Sequence, residues 1–125
     1  LHTPDAPQTI ERIIDVFPAH QQQQVRMQLS ACLQGVASQI LLPRANGEGR
    51  VLASEILVVT PAIRNLIREQ SVEQIPTSIQ TGIQYGMHTM DMSLKLLYEE
   101  GLVTYEDAYA QVKNVEEFQQ LLGDR

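Results

Sequence analysis

The sequence holds a single cysteine, Cys32, in 125 residues, which excludes an internal disulfide and makes a reducing cytoplasm the natural compartment. It has no apolar run near the ~18–20 residues that cross a bilayer and no signal-peptide pattern, so no direct membrane insertion is expected. It has no basic excess: 9 Lys and Arg stand against 15 Asp and Glu, for a formal net charge of −6. A general nucleic-acid binder needs a basic face, so that class is set aside, whereas a local nucleotide site is not. There is no G-x-x-x-x-G-K-[ST] loop to cradle phosphates and no G-x-S-x-G elbow. Gly47-Glu48-Gly49 is a turn, since no Lys or Ser/Thr follows it into a helix. His2, His20, His88 and Cys32 lack metal-ligand spacing, so no metal site is expected. Read from its residues alone, the chain carries no complete catalytic set.

With 43% hydrophobic and 19% charged residues, the chain has enough apolar surface for one folded domain and is not a disordered tail. Ile10, Ile13, Ile14 and Phe17 recur at helical spacing over Thr9 to Phe17, ending near Pro18. A second helix from Ala19 to Gln34 has Val25, Leu29, Cys32 and Leu33 on one face and the Gln21–Gln24 run on the solvated side. Val36–Leu42 and Val51–Val59 are rich in β-branched and aliphatic residues and flank the glycine-bearing loop Arg44–Gly49, which predicts an antiparallel hairpin. Both hairpin faces are largely apolar, so cover on both sides is expected, and Glu55 in mid-strand needs a partner.

The second half reads as short helices. Ser71 with Gln74 forms a capping-box pattern ahead of Val72, Ile75, Ile79 and Ile83, with Pro76 making that start irregular. Thr89 caps a helix through Met90, Leu94, Leu97 and Tyr98 that Gly101 closes. Thr104 with Asp107, and Asn114 with Glu117, open two more, with Tyr105, Ala108, Tyr109 and Val112, then Phe118, Leu121 and Leu122, turned inward. Met87-His88-Thr89-Met90-Asp91-Met92 offers soft thioethers, but at a helix start core packing with a capping Thr is the expected role. Tyr85, Tyr98, Tyr105 and Tyr109 are scattered in an acidic context and form no base-stacking platform.

The most specific stretch follows the hairpin. Thr60 suits an N-cap and Pro61 the first helical position. Ala62–Glu69 reads AIRNLIRE, with Ile63, Leu66 and Ile67 in one apolar stripe, Arg64 and Arg68 four apart on another face, and Asn65 and Glu69 paired beside them. This string resembles the hallmark helix of the ATPases that retract type IV pili during twitching motility, within the secretion and pilus ATPase family. The resemblance runs along nearly the whole chain. Leu1-His2-Thr3 is similar to the family's histidine box, and Thr9–Pro18 to its next helix. Gln28 through Gln39, Leu42-Pro43-Arg44 and Gly49 through Leu57 resemble the strands that follow. Ile79-Gln80-Thr81-Gly82, Gly86-Met87, Thr89-Met90-Asp91, Leu97-Tyr98 and Gly101–Thr104 continue it. It departs at Pro4-Asp5-Ala6-Pro7, where the family more often has a polar Asn-Ser-Ala run.

The resemblance implies an α/β fold: the C-terminal part of a RecA-like P-loop ATPase core (residues 1–86), followed by a small helical subdomain (87–125). It implies a homo-hexamer whose ATP hydrolysis drives domain rotations that withdraw pilin, working with inner-membrane pilus-base proteins at the cytoplasmic face of that membrane. His2 would lie near the ATP phosphates, where an imidazole can stabilise phosphate charge. Arg64, Asn65, Arg68 and Glu69 would serve coupling to a neighbouring subunit or pilus-base partner. ATP and Mg are expected in the intact protein. The Walker A, Asp box and Walker B segments lie upstream in the family, so this piece is expected to bind neither and to be inactive. The competing expectation is a non-enzymatic cytoplasmic α/β adaptor that binds protein partners.

Overall fold

A computed structural model describes residues 5–123. Helix α1 spans Ala6–Asp15 and α2 Ala19–Cys32; strands β1 (Gly35–Pro43) and β2 (Arg50–Val58) follow. Then come α3 (Pro61–Arg68), α4 (Ile75–Gln80), α5 (Met90–Glu99), α6 (Tyr105–Ala110) and α7 (Val115–Leu121), with 3-10 turns at Val72–Gln74 and Ile83–Tyr85. The expected antiparallel hairpin is present, in register from Gly35 opposite Val58 to Pro43 opposite Arg50.

Helix α1 starts earlier than its apolar spacing predicts. The Asp5 carboxylate accepts from the Gln8 amide at 2.9 Å, and Pro7 fits the first turn, so the cap rather than the stripe sets the start. The helix also stops at Asp15, leaving Phe17 outside it and exposed. Cys32, expected on the apolar face of α2, is exposed too. Val25, Leu29 and Leu33 do pack half-buried against the core, while the fully buried residues of α2 are Arg26 and Ser30. Ser71 makes no side-chain cap. Pro76 lies within the first turn of α4, and the chain enters that helix through the 3-10 turn, the irregular start its ring imposes. Because α4 ends at Gln80, Ile83 falls off the predicted stripe and is 63% exposed.

Thr89, Thr104 and Asn114 each accept from the amide three residues on, as their sequence positions require. Gly101 takes φ 76° at the end of α5, and its neighbour's amide reaches back from Leu102 to Leu97. The same closure ends α3, from Ser71 to Leu66, but there Gln70 sits in the left-handed region at φ 59°, a position that favours glycine.

Two apolar clusters form the interior. One joins Ala6, Ile10 and Ile14 of α1 to Leu57, Ile63, Ile67, Ile75, Ile79 and Met87. The other joins Leu42 and Ala53 of the hairpin to Met90, Leu94, Leu97, Val103, Ala108 and Phe118. The hairpin therefore serves both. Its inner face carries Ala53, Glu55 and Leu57, all buried, while Leu41 and Leu52 on the outer face are 54% and 46% exposed. The expectation of cover on both faces is not met among the described residues, since Leu41, Leu52 and Val58 of the outer face remain exposed. The β2 edge is closed by His88, whose backbone pairs with Ile56.

Candidate functional site

Two local arrangements bear on function: the exposed side of α3, and the place where β2 meets the first turns of α1 and α5. Thr60 Oγ1 accepts from the Ile63 amide and caps α3, as predicted. Ile63 and Ile67 are fully buried, and Leu66 is half-buried against the same cluster. The predicted stripe therefore seats the helix on its own domain.

The polar residues of α3 part company. Arg64 is half-buried, and its Nη1 donates to the carbonyls of Ser30 at 2.6 Å and Ala31 at 3.0 Å. Helix α2 has no basic residue in its last turn and ends without a glycine, so Arg64 supplies the positive charge its C-terminal carbonyls lack. Arg68, Asn65 and Glu69 remain exposed, with Arg68 Nη2 donating to Asn65 Oδ1. Beside α3, Thr60, Pro61, Ala62, Thr81, Gly82 and Tyr85 border a shallow surface depression of about 290 Å³. His2 lies outside the described residues.

Glu55, flagged by its position in mid-strand, finds its partners in two helix starts. Its Oε2 accepts from the Ala6 amide at 2.7 Å and its Oε1 from the Met90 amide at 3.1 Å, the first residues of α1 and α5. Burial raises this carboxyl above its usual range and nearby Asp5 adds to the rise, while the two amides and Lys113 act against it. Met90 is followed by Asp91, a buried carboxylate that accepts from the Lys113 and Asn114 amides at 2.9 and 3.1 Å, just ahead of α7. Gln80 of α4 bonds to Glu117 of α7. These groups border a cavity of about 160 Å³ between the two halves.

Asp91 and the buried Arg26, paired with Glu11 at 3.2 Å, are not distinguished by sequence pattern: each looks like one more charged residue on a helix. Their partners belong to other elements. The methionine-rich stretch is used for packing, with Met87 and Met90 buried in separate clusters and His88 Nε2 at 3.0 Å from Ser54 Oγ. Three of the four tyrosines gather after all, Tyr105 meeting Tyr98 edge-on and stacking with Tyr109; Tyr98 and Tyr105 pack on the core beside Phe118, whereas Tyr109, expected inward, is 41% exposed. Among the described residues no three His, Cys, Asp or Glu converge on a metal position.

A helix-flanked hairpin followed by short helices recurs in solved structures. An ATPase of Legionella pneumophila, DotB, has the same fold over 88% of this chain and 30% of its own, with a TM-score of 0.70 at 18% identity. The fold class is therefore α/β. More specifically, the chain is similar to type IV pilus retraction ATPases over nearly its whole length. It is 51% identical over 118 residues to the retraction ATPase PilT of Pseudomonas aeruginosa, which covers 94% of this chain and 34% of the relative. The crystal structure of the pilus retraction motor PilT with bound ADP superposes with a TM-score of 0.82 at 47% identity, over 96% of this chain and 33% of that one. No sequence-family profile matches. The chain spans about a third of the length of the curated relatives it matches.

Proposed function

We propose that this chain is the C-terminal part of a hexameric motor ATPase that powers type IV pilus retraction, and hence twitching motility, by hydrolysing ATP to ADP and phosphate. The observation that carries this reading is the 51% identity to PilT across nearly the whole chain, with the AIRNLIRE helix formed and seated at the surface. In this reading residues 1–86 complete the RecA-like core and 87–125 form its helical extension. ATP and Mg bind the intact protein, with His2 near the phosphates, while the chain alone binds neither and is inactive. The motor works on the cytoplasmic face of the inner membrane against pilus-base proteins. Among the described residues no helix is long and apolar enough to cross a membrane.

The exposed side of α3 is the coupling surface. Arg68, with Asn65 and Glu69, meets carboxylates of a neighbouring subunit or pilus-base partner, which a guanidinium can engage bidentately. Arg64 contributes by fixing α3 against α2. In the full-length protein Arg68→Ala is expected to keep ATPase activity while twitching is lost. ATPase activity falling in step with motility would assign the helix to catalysis and sink the coupling role. The adaptor alternative is separated by the reading frame upstream of Leu1: a Walker A loop in frame supports the motor, and an unrelated domain supports the adaptor.

A further inference from the structure

We propose that Glu55 is a positioning residue that fixes the start of α1 to the helices beginning at Met90, so that neither shifts without the other; this rests on the motor reading above. One carboxylate spans two helix starts, accepting from Ala6 at 2.7 Å and Met90 at 3.1 Å, residues 49 and 35 positions away. Neither helix needs Glu55 as its ordinary cap. Asp5 already accepts from Gln8 at the start of α1, and Thr89 already accepts from Met92 at the start of α5. What Glu55 adds is a link between them, made through charge-assisted bonds to first-turn amides that have no partner within their own helices.

The link is held rigidly from behind. Glu55 is 5% exposed and sits mid-strand, opposite Ser38, in a hairpin paired over its full length. It also continues forward, since Asp91, the next residue of α5, holds the Lys113 and Asn114 amides ahead of α7. Two successive buried carboxylates thus join β2, α1, α5 and the α7 start. Helix α1 begins four residues after His2 in the sequence, and its first amide is the one Glu55 holds.

The test is a double-mutant cycle in the full-length protein, with ATP turnover measured for Glu55→Gln, His2→Ala and the pair. An amide keeps one acceptor and opposes the other backbone N–H with its own, which breaks the span. Glu55→Gln is expected to lower kcat about tenfold or more with KM for ATP unchanged, the size of effect small misplacements produce. In the His2→Ala background it should lower kcat little further, because both act through one segment. Additive losses, or an unchanged kcat in Glu55→Gln, overturn the proposal. A parent protein without ATPase activity instead overturns the motor reading. If Glu55→Gln does not fold, Glu55→Asp takes its place in the cycle. It keeps the charge but is one methylene too short to span both amides, so hydrogen exchange should quicken at the starts of both α1 and α5. Quickening at only one of them would show that the two are not joined.

Discussion

Glu117 sits beside the buried Asp91 and against Gln80. Burial first, and the Asp91 charge second, raise its carboxyl above the ordinary 4.5, while the Gln80 hydrogen bond works the other way. A group raised in the folded state binds its proton more tightly there than in the unfolded chain. Its stabilising contribution is therefore complete below the unfolded value and is lost as pH rises through the folded one. Glu55, also raised, has the same sign. Replacing Glu117 by Gln removes one such titration. The stability of Glu117→Gln relative to the parent should therefore grow from about pH 4 to about pH 7, read as a rising difference in urea midpoints. A difference that stays flat or shrinks would reverse the assignment.

At the scale of elements, α3 shows how a local pattern is reused by a distant one. Its N-cap, its Pro61 and its apolar stripe are legible in the sequence because they depend on spacings of three and four residues. Arg64 was equally visible as a residue, but its bonds to Ser30 and Ala31 were not, because they join positions 34 and 33 apart. Since the guanidinium holds carbonyls that α2 cannot otherwise cap, Arg64→Ala should destabilise the chain by about 1.5–3 kcal/mol, the usual range for hydrogen bonds to a charged group. Chemical denaturation would show it as a lower midpoint at constant slope, with exchange quickening at the α2 C-terminus. An unchanged midpoint would mean that water replaces the arginine without loss. The misplaced elements have equally local causes. The Asp5 cap moved the start of α1, and the end of α4 at Gln80 released Ile83 to solvent.

Across the whole molecule, two apolar clusters share one hairpin, with Leu57 given to the first and Leu42 and Ala53 to the second. Phe118 is fully buried in the second, against Tyr105. Phe118→Ala should cost about 3–5 kcal/mol and, if residues 87–125 unfold as a unit, should raise exchange in α5, α6 and α7 more than in α1, α2 and α3. Equal loosening everywhere would mean one cooperative unit with no boundary near Gly86.

The sequence by itself determined the caps at Thr60, Thr89, Thr104 and Asn114, the hairpin, the apolar stripe of α3 and the likeness to pilus retraction ATPases, because each is written in residues near one another or in a string of residue types. Only the tertiary structure decided which helix starts Glu55 holds, that Asp91 turns inward, and that Arg64 serves α2 while Arg68 stays free to face outward. The reason is physical. Helix and turn signals act over a few residues, whereas a buried charge takes whichever donors packing brings within about 3 Å, however far away they lie in the chain.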